Sequence, residues 1–504
     1  MKSICIPQYC GLCRFKLEYG DYVISVRPIT YIRSEIFSHS IAGFSSNTLS
    51  IEYVECRGRC SHDEQGYACH ADCLKTFPHG LLPDALEVTK SAFEPPILTD
   101  KKRMYWYRTR LAGIINTSNR QCLPPEICDI TAGWALDDRA THSRLAVDLI
   151  RKRCAKRTSF TSSITTSEKV YARHISFEGI SYVACLTNAP DDDKDVPLLE
   201  PTLLTSIDSL HIASDHLGIR RLLFSSSSEK HTVEPEVGIW WKSVSLASLG
   251  DLIQFGGDGL KLRYLIDGST ALTGSSCDIP HSLCRNIRYE NICNAERSDY
   301  LSVICCNDLR TTAYSLCWNS VITMVHAHRS VEGLDFYHAL RILDNGALWL
   351  YMPLWQNELL TEIWRLEGPL RKTIGLLLVT NQGRSNFLGI QPRPSWDRSK
   401  WKLLDLPHKS RSCIYAEMSP HGIRALGFES VLDRRPAQMP KVDWPTSPHP
   451  TFRHDEFYAW NKASLNGVAE FTPCQRLYKG KVIMIGLLLR YVDGTSAGIG
   501  QGLI

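Results

Sequence analysis

Apolar and polar residues follow three successive patterns along the chain. Up to about residue 82, short strand-like runs such as DYVISVRPITYI, starting at Asp21, are interrupted by Cys, His and Gly. A segment this thin in apolar residues needs a staple to hold a core. From 84 to 158 the spacing changes to three and four, through DALEVTKSAF, KKRMYWYRTRLAGII, LPPEICDITAGWAL and RATHSRLAVDLIRKR. That period predicts a short array of helices. Beyond Val170 the apolar residues come in alternating runs bounded by Gly, Asn, Asp, Ser and Pro. In ARHISFEGISYVACLTN, Glu178-Gly179 sits between two such runs, as a two-residue hairpin turn requires. The Ser/Thr-rich stretch TSFTSSITTSE (158–168) reads as a linker, and DDDKD, SSSS and RRPAQMPKVDWPTSPHPTF read as loops. The predicted fold class is multidomain α+β. It comprises a Cys/His-rich module (1–82), a helical segment (84–158), a first β-rich region (168–344) and a second one (345–504).

Weak repeats mark the β regions. GIRRLLF at Gly218 returns as GIRALGF at Gly422, and GLLLVTNQG at Gly375 returns as GLLLRYVDG at Gly486. Recurrence of strand-plus-turn units predicts equivalent hairpins in a pseudo-symmetric, predominantly antiparallel structure.

Composition narrows the function classes. The chain has 504 residues with 43% hydrophobic and 22% charged, and its net charge is only +4. Disorder as a whole is excluded, and no broad nucleic-acid footprint is present. The longest late apolar run, Val482 to Leu489, falls short of the ~20 residues a spanning helix needs, and the N-terminus lacks a signal-type apolar core. A soluble, reducing compartment follows as the expectation, cytoplasmic with nuclear entry as a second option.

The 19 cysteines are odd in number, and seven lie in the first 73 residues. That distribution points to metal ligation rather than a disulfide framework. Cys10 and Cys13 frame CGLC, Cys56 and Cys60 frame CRGRC, and His70 and Cys73 form a His-x2-Cys pair. Tetrahedral zinc takes two such pairs from different parts of the chain. The His-x2-Cys spacing is that of the closing half of treble-clef fingers, so Cys10, Cys13, His70 and Cys73 form the first candidate site. A competing ribbon joins Cys10 and Cys13 to Cys56 and Cys60, or these two take a second ion with His62 or Cys69. The expected cofactor is structural zinc; no HExxH signature of catalytic zinc occurs.

In CLPPEICDITAGWAL, prolines open a helix whose Ile127, Ile130 and Trp134 share one face, with Glu126 in its first turn. The segment resembles the start of an F-box. The resemblance implies that Leu123, Pro124, Ile127 and Ile130 face a Skp1-type adaptor of a ubiquitin ligase. The basic window Arg151, Lys152, Arg153, Lys156 and Arg157 fits a nuclear localisation signal, a phosphate-contacting patch or a solvated helix end.

Residues 348–430 resemble the later part of a jacalin-like β-prism, through Glu358, Thr361, Glu362, Ile363, Thr380, Asn381, Gly383, Arg384, Gly389, Gly422, Leu426 and Gly427. Tyr491-Val492-Asp493-Gly494 matches a piece that such domains usually carry near their start, which implies a rearranged order or a second, incomplete prism truncated at the C-terminus. The resemblance implies sugar binding through an Asp before the final apolar-Gly strand. Here that position is Arg424, with Arg220 or Arg221 in the related repeat, and arginine donates hydrogen bonds without accepting any.

No nucleophile elbow, P-loop, dinucleotide fingerprint or kinase set is present. Gly256-Gly257-Asp258-Gly259 precedes a strand-like run and reads as a turn, and His326 and His328 share a strand face without an evident third ligand. The expected function is that of a non-enzymatic adaptor, similar to fungal proteins that pair a Cys/His-rich N-terminus with an LPPEI-type helix and a β-rich half. The β region would select a protein or glycan. The alternative is an intracellular carbohydrate-binding protein whose zinc module is purely structural.

Overall fold

The computed structural model describes residues 2–27, 30–38, 45–48, 51–55, 64–93, 97–118, 123–154, 161–190, 195–200, 207–226, 233, 236, 238–266, 275–280, 287–292, 300–329, 347–368, 373–392, 400–408, 412–418, 422–429, 442, 459, 461–478 and 481–500. The structure is mostly β, with its long helices between residues 82 and 154. It divides into two compact units, Met1–Gly274 and Ser275–Ile504.

In the first unit the strand Tyr22–Val26 pairs antiparallel with Tyr67–His70, and Lys2–Ile6 pairs with Ile51–Glu55 in a second sheet. Helices follow at Leu82–Thr89, Ile97–Ser118, Pro125–Asp137 and Arg139–Cys154. One apolar core joins all of this: Ile4, Leu12, Phe15 and Leu86 pack with Tyr107, Leu136 and Ile150, and with Phe177 and Tyr182 from the β region. The helices thus share a core with the Cys/His module and the first hairpin.

That hairpin is Val170–Phe177 with Ile180–Thr187, in register Phe177↔Ile180. Its turn residues Glu178 and Gly179 have φ of 51° and 78°, the left-handed pair that a two-residue turn on twisted strands demands. A side chain at Gly179 would run into the Trp106 indole. Residues read as linker behave otherwise. Thr161–Thr165 is a strand paired with Leu252–Gly257. The correction has a physical cause: Ser162 and Ile164 are buried on alternate positions, and the Ser162 hydroxyl exchanges hydrogen bonds with the Leu186 backbone at 2.7 and 2.9 Å. Polarity concealed a strand whose buried hydroxyl, that of Ser162, is satisfied internally.

Two further turns of this unit are built alike. Asp215 Oδ1 accepts the backbone N–H groups of Leu217 and Gly218, and Asp258 Oδ1 those of Leu260 and Lys261. Gly256 to Gly259 therefore leads into a turn, as its sequence suggests. Lys261 is wholly buried there, donating to Asp258 Oδ2 at 2.7 Å and to the Val88 carbonyl at 3.0 Å. Burial pulls its ammonium down to about 8, against the opposing pull of Asp258. The folded chain then binds fewer protons than the unfolded chain between about pH 8 and the ordinary lysine range, so this group adds stability as pH rises through that window. The gain is on the order of 3 kcal/mol. Urea titrations at pH 7.5 and 9.5 are expected to show about 2 kcal/mol of it in wild type and none in Lys261→Met; equal slopes against pH would refute it.

The second unit is built of predominantly antiparallel sheets, with Ser276–Cys277 pairing parallel to Tyr300–Cys306. Strands Tyr300–Cys306, Ser412–Glu417, Ala425–Phe428 and Arg288–Asn291 lie side by side in that order. A three-stranded sheet combines Ile322–Arg329, Thr311–Trp318 and Leu348–Pro353, and a four-stranded one combines Ser385–Gly389, Thr373–Thr380, Leu360–Glu367 and Lys400–Asp405. Their apolar faces meet in one core including Ile304, Leu316, Leu350, Leu377 and Phe428. The sheet Val468–Tyr478, Lys481–Tyr491 and Ser496–Gly500 repeats part of this design. Gly375 pairs with Gly389, and Gly486 pairs with Gly500, so one shift of register carries the first hairpin onto the second. A Cβ at Gly375 or Gly389 would meet the facing backbone.

Candidate metal centre

Four ligands converge in the first unit. Cys10 and Cys13 sit in a tight knuckle where Cys10 N donates to the Phe15 carbonyl at 2.9 Å and Arg14 N to the Cys10 carbonyl at 2.8 Å. Arg14 has φ 60°, and Gly11 lies where a side chain would approach Leu86 Cδ2 to 2.8 Å. Gly11 N donates to the Ala68 carbonyl at 2.7 Å, which docks the knuckle on the strand Tyr67–His70. His70 ends that strand, and Cys73 lies one turn into the helix Ala71–Lys75 that follows. Knuckle, hairpin and helix start are thus brought to one point.

The ligand atoms of Cys10, Cys13, His70 and Cys73 all lie within 4.8 Å of one another, and all four residues are buried. His70 Nδ1 is 3.3 Å from Cys13 Sγ and 3.7 Å from Cys73 Sγ. These are close to the edges of a zinc tetrahedron, about 3.6 Å for bond lengths of about 2.0–2.3 Å. On its other side His70 Nε2 lies 3.4 Å from Asp21 Oδ2, the outer carboxylate that fixes a metal-binding imidazole in its tautomer. Three sulfurs and one nitrogen make a set suited to zinc, and four protein ligands leave no open coordination position. The group can therefore hold a metal ion.

Its electrostatics favour a cation. Burial raises the Cys10 thiol, but hydrogen bonds from Cys13, Cys69 and Cys73 and the charge of His70 bring it well below its ordinary range. Burial opposes protonation of His70, yet the Cys10 charge and its thiol partners hold it up at about 11. Cys73 is raised by its bonds to Cys10 and Cys13. Ion uptake would displace these protons, making affinity rise with pH.

An ionic clamp holds the knuckle from behind. Arg103, from the helix Ile97–Ser118, donates from Nη2 to the Cys13 carbonyl at 2.8 Å and from Nη1 to the Arg14 carbonyl at 3.3 Å. Its Nε and Nη2 also donate to the Glu178 carboxylate at 2.6 and 3.1 Å, and Tyr107 donates to the same carboxylate at 2.5 Å. Arg14 completes the group as a second ion-pair partner of Glu178. Arg103 and Glu178 are buried at 1% and 3% exposure, so the one carboxylate offsets part of the charge of two guanidinium groups in a dry setting. Sequence reading missed this clamp, since residues 75 positions apart share no local pattern.

The other candidates fall as follows. Cys56, Cys60 and His62, with Lys156 and Arg157, lie outside the described residues. Leu123, Ile127 and Ile130 are 37%, 45% and 44% exposed, and Pro124 is exposed at the helix start. The same helix turns Cys128, Ala132 and Leu136 into the interior. Arg151 and Lys152 pair with Asp148, while Arg153 donates to the Ser176 carbonyl at 3.2 Å, which makes this stretch a solvated helix end. The His326 and His328 rings lie 4.7 Å apart, and His328 Nε2 is 2.6 Å from Ser315 Oγ. Among the described residues this pair joins no group of three metal-ligating side chains. Glu358 accepts from Thr380 Oγ1 at 2.7 Å, from Arg384 Nε and Nη2 at 2.9 and 2.8 Å, and from Trp355 N at 2.8 Å. Arg220 pairs with Asp215 at 3.3 Å, and the Arg424 backbone bridges Glu417 and Ile292. Among the described residues no helix is long and apolar enough to cross a membrane.

No family model matches the chain, and no curated protein does. Among solved structures it is similar to a prostate-specific WGA16 glycoprotein lectin, at 16% identity over 28% of this chain and 96% of that one, with a TM-score of 0.18. It is also similar to the second β-prism domain of RbmC from V. cholerae bound to N-acetylglucosaminyl-β-1,2-mannose, at 14% identity, covering 28% of this chain and 98% of that one, TM-score 0.20. A third likeness is to the V. cholerae biofilm matrix protein Bap1, at 8% identity over 67% of this chain and 54% of that one, TM-score 0.15.

Proposed function

We propose that the chain is a non-catalytic binding protein, stapled by one structural zinc ion, that docks a Skp1-type adaptor through the helix Pro125–Asp137. One observation carries the docking reading. Leu123, Ile127, Ile130 and Trp134 form a stripe that stays outside, Trp134 at 73% exposure, while the smaller Cys128 and Ala132, with one large residue, Leu136, fill the interior. A helix that served only packing would turn its largest apolar residues inward. The outward residues are those that the F-box resemblance assigns to the adaptor.

Replacing Ile127 and Ile130 together by Asp is expected to leave the unfolding midpoint within a few degrees of wild type, since both side chains are half in water. Pull-down with mass spectrometry is expected to recover a Skp1-type protein with wild type and to lose it with the double variant. Recovery by both, or by neither, overturns the docking reading.

A second reading makes the Ser275–Ile504 unit a carbohydrate binder. Its support is the Glu358–Thr380–Arg384 network, which forms the turn on which the jacalin-like resemblance rests, with Gly383 at φ 75°. Arg424 at the acceptor position requires any sugar to be held by other acceptors. Glycan-array binding that survives the Asp double variant would favour this reading, and silence on the array would remove it.

A further inference from the structure

We propose that Cys305 and Cys413 are the two halves of a reversible cross-strand disulfide that fastens the Ser275–Ile504 unit. The two residues stand directly opposite on the antiparallel strands Tyr300–Cys306 and Ser412–Glu417. Hydrogen bonding fixes the kind of pair they make. Met418 N donates to the Tyr300 carbonyl at 3.0 Å, which makes Tyr300 and Met418 a hydrogen-bonded pair. Hydrogen-bonded and open pairs alternate along an antiparallel ladder, so Cys305 and Cys413, five steps on, form an open pair. Consistently, Cys413 N donates sideways to Glu429 Oε2 at 3.3 Å. Open pairs hold their Cα atoms about 4.5 Å apart, inside the range of about 4.4–6.8 Å that disulfides span.

Both thiols also point the same way. Cys305 and Cys413 pack in one apolar cluster with Val303 and Tyr415, whereas Ile304, Cys306 and Ile414 belong to the cluster on the opposite side of the sheet. No disulfide joins them in the structure. The bond would close a loop containing the strands from Thr311–Trp318 to Lys400–Asp405, clasping two sheets between its ends. Removing the freedom of so long a loop from the unfolded chain is where a disulfide stabilises most.

The reaction is thiol–disulfide exchange with a low-molecular-weight disulfide. One cysteine thiolate attacks glutathione disulfide, giving a mixed disulfide and one glutathione. The second cysteine then displaces the other glutathione, so two protein thiols are oxidised, losing two protons, and one disulfide is reduced to two thiols. At 4% and 7% exposure, the cysteines react when the strand pair opens, so exchange follows opening of this sheet.

The test equilibrates the full metal-loaded chain in buffers of graded glutathione to glutathione disulfide ratio, near its unfolding midpoint and then cooled. Alkylation under denaturing conditions and peptide mapping follow. A Cys305–Cys413 cross-linked peptide is expected, with a rise in Tm on the order of 5 °C that reductant reverses. Metal release, read with a chromogenic chelator, separates this change from oxidation of the zinc ligands, and Cys413→Ala is expected to lose the oxidant-dependent Tm rise. The proposal is overturned if both cysteines remain alkylatable, carry only glutathione, or pair with Cys277 or another cysteine. The mapping uses wild type alone, so it stands even if the variant fails to fold.

Discussion

Stripping the metal from the full chain with a strong chelator, or replacing Cys13 by Ser, is expected to unfold the module around the knuckle and to lower stability by several kcal/mol. Apparent binding energies of structural zinc are about 10–16 kcal/mol at neutral pH, and where no site exists in the unfolded chain that energy is folding energy. In this protein the loss spreads, because Cys10, Cys13 and Cys73 share a core with Phe15, Leu86, Tyr107 and Ile150. Without the ion, the Cys10 thiolate and the protonated His70 offset each other only as a buried pair, with the desolvation of both charges in that core no longer offset by metal bonds. Elemental analysis is expected to give one zinc per chain in wild type and none in Cys13→Ser. Cys69 is the informative control, being buried beside the site but outside the ligand set. Cys69→Ser is expected to keep its zinc at a modest stability cost. Purified chain without stoichiometric metal, or a Cys13→Ser variant as stable as wild type, would sink the assignment.

The second large effect is expected at Glu178. Replacing it by Leu leaves Arg14 and Arg103 buried without their counter-charge and Tyr107 without its acceptor. Breaking a buried ion group from one side costs about 3–5 kcal/mol. The consequence should reach the metal, since Arg103 also holds the Cys13 and Arg14 carbonyls that shape the knuckle. Chemical denaturation is expected to show the destabilisation, and competition with a zinc chelator a weakened affinity. Denaturation unchanged within about 0.5 kcal/mol, the range of ordinary surface substitutions, would mean that the clamp contributes little.

How much of this could be read in advance varied with the range of the interaction. The turn at Glu178-Gly179 was legible because alternation of period two stops there and two residues of positive φ must follow. The Cys10, Cys13, His70 and Cys73 set was legible as a first candidate because paired spacings mark possible ligands, while the same spacings left a ribbon with Cys56 and Cys60 open; proximity in the fold brings the first set together. What Glu178 does was not, since its partners Arg14 and Arg103 come from the knuckle and from a helix, and burial rather than pattern unites them. Thr161–Thr165 was hidden by composition, its one buried hydroxyl, that of Ser162, being satisfied by the Leu186 backbone. On the helix Pro125–Asp137, periodicity shows that Ile127, Ile130 and Trp134 lie together, but not whether that face looks inward. The small residues Cys128 and Ala132 decide it by allowing close packing on the opposite side.

The glycine-paired hairpin that occurs twice in the second unit allows one backbone arrangement to be compared in two surroundings. In the first copy Leu376, Leu377 and Leu378 are all buried, and the facing strand keeps Phe387 opposite Leu377. In the second copy Leu487 and Leu488 are only partly covered, and the residue facing Leu488 is Gly498. Both copies keep glycine against glycine at Gly375–Gly389 and Gly486–Gly500, where backbones touch. The two levels of the pattern differ in tolerance: a Cβ at Gly375, Gly389 or Gly500 would meet facing backbone, whereas the side chains around these pairs differ between the copies with the cover that each receives.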